Sequence, residues 1–208
     1  MKDTIVLFQG DSTTDCGRDY NNPADLGPGY PMMIAAAYGA KYPEDRVVFV
    51  NRGISGNRVR DLQERWQEDC IDIKPDVVSI LIGINDTWRR YDSNDPTSAD
   101  LFEQGYRDIL TRTRENTDAL IVMMDPFVLP YPQDRLAWRE DLDPKIQVVR
   151  NLAREFKAVL IPLDGIFAQA ICRREPQYWA ADGVHPTLYG HALIARQWLD
   201  TVEELGIL

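Results

Sequence analysis

The chain has 208 residues, 44% hydrophobic and 27% charged, which suits one domain with a single sizeable core (1–208) and excludes a disordered or fibrous class. Lys and Arg number 23 against 33 Asp and Glu, giving a net charge of −10. That balance argues against nucleic acid or an anionic membrane as partner, because phosphate binding relies on clustered cations; a small neutral substrate fits it better. The chain opens MKDTIVLFQGDS, an apolar run too short for the core of a signal peptide, and no stretch approaches membrane-spanning length; a cytoplasmic location is the expectation.

Residues 4–9 form the first of five short, nearly continuous apolar runs rich in β-branched residues; the others are 46–51, 77–82, 119–124 and 159–163. Runs without polar alternation predict strands buried on both faces of a parallel sheet. Between the second and third, residues 59–73 place Leu62, Trp66 and Cys70 at i, i+4 and i+8 with acids and bases opposite, the pattern of an amphipathic helix. Residues 101–114 and 146–156 repeat that spacing, and 188–205 closes the chain. Pro75, Pro126 and Pro162 punctuate the strand ends. Residues 91–99 and 127–144 read as the longest irregular parts. Alternating strands and helices predict a three-layer α/β/α sandwich with a central five-stranded parallel sheet, whose ligands gather beyond the carboxyl ends of the strands.

Cys16, Cys70 and Cys172 are odd in number and widely spaced, which suggests neither a disulfide framework nor a zinc site. Cys16 reads as a packing residue rather than a reactive thiol. No metal or cofactor is called for. His191 falls within the last helix, where a packed or exposed histidine is the simpler reading.

Chemistry gathers at the predicted strand ends. Gly10-Asp11-Ser12 follows the first strand, Gly53-Ile54-Ser55-Gly56-Asn57 the second and Gly83-Ile84-Asn85-Asp86 the third, while Asp182-Gly183-Val184-His185 precedes the last helix. Each block alone reads as a turn or a helix cap. Together, in this order, they resemble the SGNH hydrolases, also called GDSL esterases and lipases, over most of the chain. The resemblance implies a flavodoxin-like fold with Ser12 as nucleophile, His185 as base and Asp182 as the acid that orients it. It also implies an oxyanion hole made by the Ser12 amide, Gly56 and Asn85. The residue types suit those roles: serine needs a base, the base needs an orienting group, and the developing charge needs preorganised donors. Asp11, Asp15 and Asp86 read as supports for the site's loops or as caps.

The stretch NRGISGNRVRDLQERWQEDCIDIKPDVVSILIGINDTWRRYD is closely similar to bacterial acetylxylan esterases of this superfamily. That similarity implies removal of short acyl groups, above all acetyl, from sugars such as xylo-oligosaccharides. Trp88, Arg89 and Tyr91, with Trp179, then become candidates for substrate contact, packing being the alternative. The family members carry Trp immediately before the catalytic Asp; here that residue is Ala181. A lysophospholipase or acyl-CoA thioesterase is the other enzymatic reading, and a non-catalytic carbohydrate-binding protein the reading from another class. Assembly into a homo-oligomer is compatible with the aromatic content.

Overall fold

The computed structural model describes residues 3–208. All five apolar runs become strands of one sheet: β1 (Thr4–Gly10), β2 (Val47–Asn51), β3 (Val77–Leu81), β4 (Leu120–Met124) and β5 (Val159–Ile161). Their order is β2-β1-β3-β4-β5, every neighbouring pair parallel, which is the flavodoxin-like arrangement expected. β5 ends two residues early because Pro162 has no N–H for the ladder and instead opens a helix.

Both sheet faces are buried, which is why the strands lack polar alternation. Leu7, Val78, Ile80, Ile121 and Met123 face one core together with α3 (Val59–Trp66), α5 (Ala99–Asn116) and α6 (Arg139–Glu155). Val6, Phe8, Leu81, Val122 and Met124 face the other, covered by α2 (Tyr30–Lys41), α7 (Leu163–Ile171) and α9 (Leu188–Glu204). Three further helices stand near the strand ends: α1 (Ser12–Asp15) and α4 (Ile84–Asp92) leave the ends of β1 and β3, and α8 (Pro176–Trp179) leads into the loop holding Asp182.

The predicted helix over 59–73 is α3 continued by a π turn, Gln67–Ile71, which keeps Cys70 and Ile71 turned to the core beside Leu62 and Trp66. Two helices escape the sequence pattern. In α2, YPMMIAAAYGAK is apolar or small on nearly every side, so no stripe stands out. In α7, the apolar run of β5 flows straight into the helix. The stretch 127–144 is also more regular than expected: Gln133–Trp138 is a 3₁₀ helix, and α6 starts at Arg139 and runs through Pro144. That proline forfeits one bond, to the residue 140 carbonyl, while Arg139 pairs with Asp164 across to α7 and Lys145 with Asp141. Gly17–Gly29, between α1 and α2, is the long irregular segment instead.

Among the buried polar contacts, the Trp198 indole N–H donates to Ser79 Oγ at 3.1 Å in the middle of the sheet. Ser79→Ala leaves that donor unpaired and should cost about 1–3 kcal/mol. The test is urea unfolding: a lower midpoint at unchanged slope is expected, and an unchanged midpoint would contradict the accounting.

Candidate active site

β1 lies between β2 and β3, so the connections leaving β1 and β3 diverge at the carboxyl edge and open a crevice there. Ser12 and Asn85 sit at this crevice by topology alone. Asp11 caps α1, its carboxylate accepting the Thr13 amide at 3.0 Å, and the one-turn helix closes with Cys16 in the left-handed region at φ 45°. Ser12 is thus both the first residue of a capped turn and half exposed at the crevice. Burial pushes the Asp11 carboxyl up to about 6, a shift that the Thr13 amide and the charge of His185 only partly offset.

Ser12 Oγ lies 3.1 Å from His185 Nε2, and His185 Nδ1 lies 2.7 Å from Asp182 Oδ2. The other carboxylate oxygen, Oδ1, accepts the amides of Val184 at 3.0 Å and His185 at 2.7 Å. The Asp-x-x-His spacing therefore makes a turn in which one oxygen braces the backbone and the other takes the imidazole. An ionised carboxylate only accepts, so the ring proton sits on Nδ1 and Nε2 is left to accept from the serine. Partial burial would raise the Asp182 carboxyl, but the hydrogen bonds from His185 and Val184 outweigh it and hold it below the usual value.

The β2 side is tied to α1 by Asp15. Its Oδ2 accepts the Ser55 amide at 3.1 Å, the Ser55 hydroxyl, and the Tyr20 hydroxyl at 2.7 Å. A Cβ on Gly53 would stand 2.4 Å from the Asp15 amide nitrogen, so close approach to α1, rather than turn geometry, demands glycine there. Gly56 shows the converse. A Cβ there would meet nothing within 4 Å, but φ is +83° and the Asn57 amide donates to the Ile54 carbonyl at 3.2 Å, the pattern of a type II turn. Backbone conformation fixes this glycine, and it lies exposed.

From β3, neighbouring residues of α4 reach across to the same segment. Asn85 Nδ2 donates to the Asn57 carbonyl at 3.1 Å, and Asp86 Oδ2 accepts the Val59 amide at 3.1 Å, which caps α3. Burial pushes the Asp86 carboxyl up to about 7, against the Val59 amide and the charges of Lys145 and Arg58.

The aromatic candidates separate. The Trp88 ring is 5.6 Å from that of His185 and 5.3 Å from that of Trp138. Arg89 pairs with Asp92 on its own helix. Tyr91 stacks on Trp138 and donates its hydroxyl to the Ala137 carbonyl at 2.8 Å. Trp179 packs against the α2/α7/α9 core and edge-on to Tyr178. His191 is buried: its Nδ1 accepts the Tyr30 amide at 3.2 Å, which leaves Nε2–H for Cys16 Sγ at 3.3 Å. Burial, with the charge of His185, pushes it down to about 4, so it stays neutral near pH 7. Among the described residues no group of three or more His, Cys, Asp or Glu side chains is placed to hold a metal ion.

Reading the sequence does not single out Tyr20, Arg65 or Trp138. Charged and aromatic residues on a helix or in an irregular segment carry no local sign of the distant loop they serve.

Residues 8–193 match the GDSL-like Lipase/Acylhydrolase family. The chain belongs to this family. It is 37% identical over 202 residues to an acetylxylan esterase from Geobacillus stearothermophilus, covering 93% of this chain and 91% of that one. A crystal structure of an acetylxylan esterase from that organism superposes with a TM-score of 0.86 at 36% identity over 96% of this chain and 94% of the other. LAE5, an alpha/beta hydrolase enzyme from the metagenome of Lake Arreo, Spain, gives 0.89 at 32% identity over 96% and 95%. This GDSL-family protein is accordingly a carboxylic ester hydrolase.

The buried Asp86 sets a pH dependence. Its folded-state value of about 7 lies above the ordinary carboxylate value of 3.8. Folding therefore binds a proton between those values, and its stabilising contribution, full below pH 4, is lost as pH rises through 7. Asp86→Asn keeps an acceptor for Val59 and removes the ionisation. Denaturant midpoints measured from pH 4 to 8 should show the variant gaining on the wild type as pH rises; parallel curves would contradict the assignment.

Proposed function

We propose that this hydrolase is a serine esterase that removes acetyl groups from carbohydrates such as xylo-oligosaccharides through a covalent acyl-enzyme. The contact of Ser12 Oγ with His185 Nε2, backed by Asp182, carries the mechanism. His185 takes the serine proton as Oγ attacks the ester carbonyl carbon, and Asp182 stabilises the imidazolium that results. The carbonyl oxygen becomes an oxyanion, received by the amides of Ser12 and Gly56 and by Asn85 Nδ2. The intermediate collapses, the sugar oxygen leaves with the proton from His185, and the acetyl group stays on Ser12. Water, deprotonated by His185, attacks the acyl-enzyme; the second intermediate expels Oγ, which regains its proton, and acetate departs.

Two observations favour a short acyl group on a sugar. An apolar cleft of about 250 Å³ bounded by Val128, Leu129, Leu136, Ala168 and Ile171 would suit a longer chain, but none of Ser12, Asn85, Asp182 or His185 lines it. The 37% identity to an acetylxylan esterase supports the sugar, and Trp88 beside His185 offers a ring face for it.

Ser12→Ala should lower kcat by about 10⁴-fold or more with the fold intact. Turnover should be fastest on acetylated xylo-oligosaccharides and should fall along nitrophenyl esters from acetate to palmitate and on long-chain acyl-CoA. Rates that rise with chain length would overturn the acetyl reading; unchanged hydrolysis by the variant would overturn the nucleophile.

A further inference from the structure

Arg65 lies two turns into α3, on the face where charges ordinarily meet solvent, yet its side chain is only 15% exposed. Each of its three nitrogens has a partner. Nε donates to Asn57 Oδ1 at 2.9 Å. One terminal nitrogen donates to Gln9 Oε1 and to Asp69 Oδ2, both at 2.9 Å, and the other reaches the Gly10 carbonyl at 3.4 Å. One guanidinium thus joins the end of β1, two residues before Ser12, to the turn that carries Gly56.

The same Asn57 meets the site from its other side, because its backbone carbonyl accepts from Asn85 Nδ2. That bond has a chemical consequence. A side-chain amide offers two N–H donors on one edge and an acceptor on the other, and a carbonyl facing it accepts only the donor edge. With one N–H held by Asn57, the second is fixed in direction. Asn57 therefore chooses which way Asn85 faces, and Arg65 holds Asn57.

We infer that Arg65 is a positioning residue for the oxyanion hole, acting through Asn57 on the Asn85 side chain. The inference rests on the proposed oxyanion role of Asn85. Lysine at position 65 could keep the ion pair with Asp69 but has no planar fork to span Asn57 and Gln9 together. Alanine at position 57 removes the side-chain acceptor and leaves the carbonyl and the Arg65–Asp69 pair in place.

Kinetics on acetyl esters with Asn57→Ala, Arg65→Lys, Asn85→Ala and the pairwise combinations test this, alongside Tm for each protein. An oxyanion donor is worth about 10²–10³ in rate, so misaiming one should lower kcat about tenfold or more in Asn57→Ala and Arg65→Lys, with KM within about twofold. Added to Asn85→Ala, either change should cost less than about twofold further, because the donor it aims is already gone. Losses that multiply with Asn85→Ala, or a fall in Tm with kcat unchanged, would overturn the inference and leave Arg65 a packing residue. If Asn85→Ala itself keeps full kcat, the oxyanion reading fails first and takes this inference with it.

Discussion

The 3.1 Å contact between Ser12 Oγ and His185 Nε2 joins residues 173 positions apart, and the rest of the site is arranged around keeping it. Neither partner has local means to find the other. Ser12 is placed by the end of β1 and the cap from Asp11, whereas His185 is placed by the Asp182 turn in front of α9. What brings them together is a sheet whose strands all point the same way, so that every strand-to-helix connection empties onto one edge. The switch between β2 and β3 on either side of β1 then opens the crevice in which they meet.

Cross-links between those connections keep the edge in register. Asp15 binds the turn after β2 to α1, and Asp86 binds the start of α3 to α4. Both carboxylates are buried, a costly choice unless hydrogen bonds repay the lost hydration. The repayment is incomplete: Asp15 Oδ1 and Asp86 Oδ1 lack hydrogen-bond partners. Stability is traded there for a rigid frame around the serine, a common bargain at functional sites.

Much of this was legible in the sequence, for a physical reason. Strands buried on both faces must be continuously apolar, so β1 to β5 stand out. Motifs that bend the chain at a strand end need glycine and short polar residues, so the blocks holding Ser12, Gly56, Asn85 and His185 stand out too. What stays hidden depends on packing rather than pattern. α2 shows no stripe because small and apolar residues cover it almost all round. Arg65 sits on a face that reads as solvated and is covered only because α3 packs over the end of β1. Gly53 and Gly56 look alike as letters, yet one is fixed by a neighbour 2.4 Å away and the other by φ of +83°.

The central claim is that Ser12 carries the acyl group between two half-reactions. Rapid-quench mass spectrometry of the protein mixed with excess nitrophenyl acetate tests it most directly. The account predicts a burst of nitrophenol with one acetyl group added to the peptide containing Ser12, and no adduct in His185→Ala on the same timescale. Steady turnover with no acetylated peptide, or acetylation confined to another residue, would contradict it.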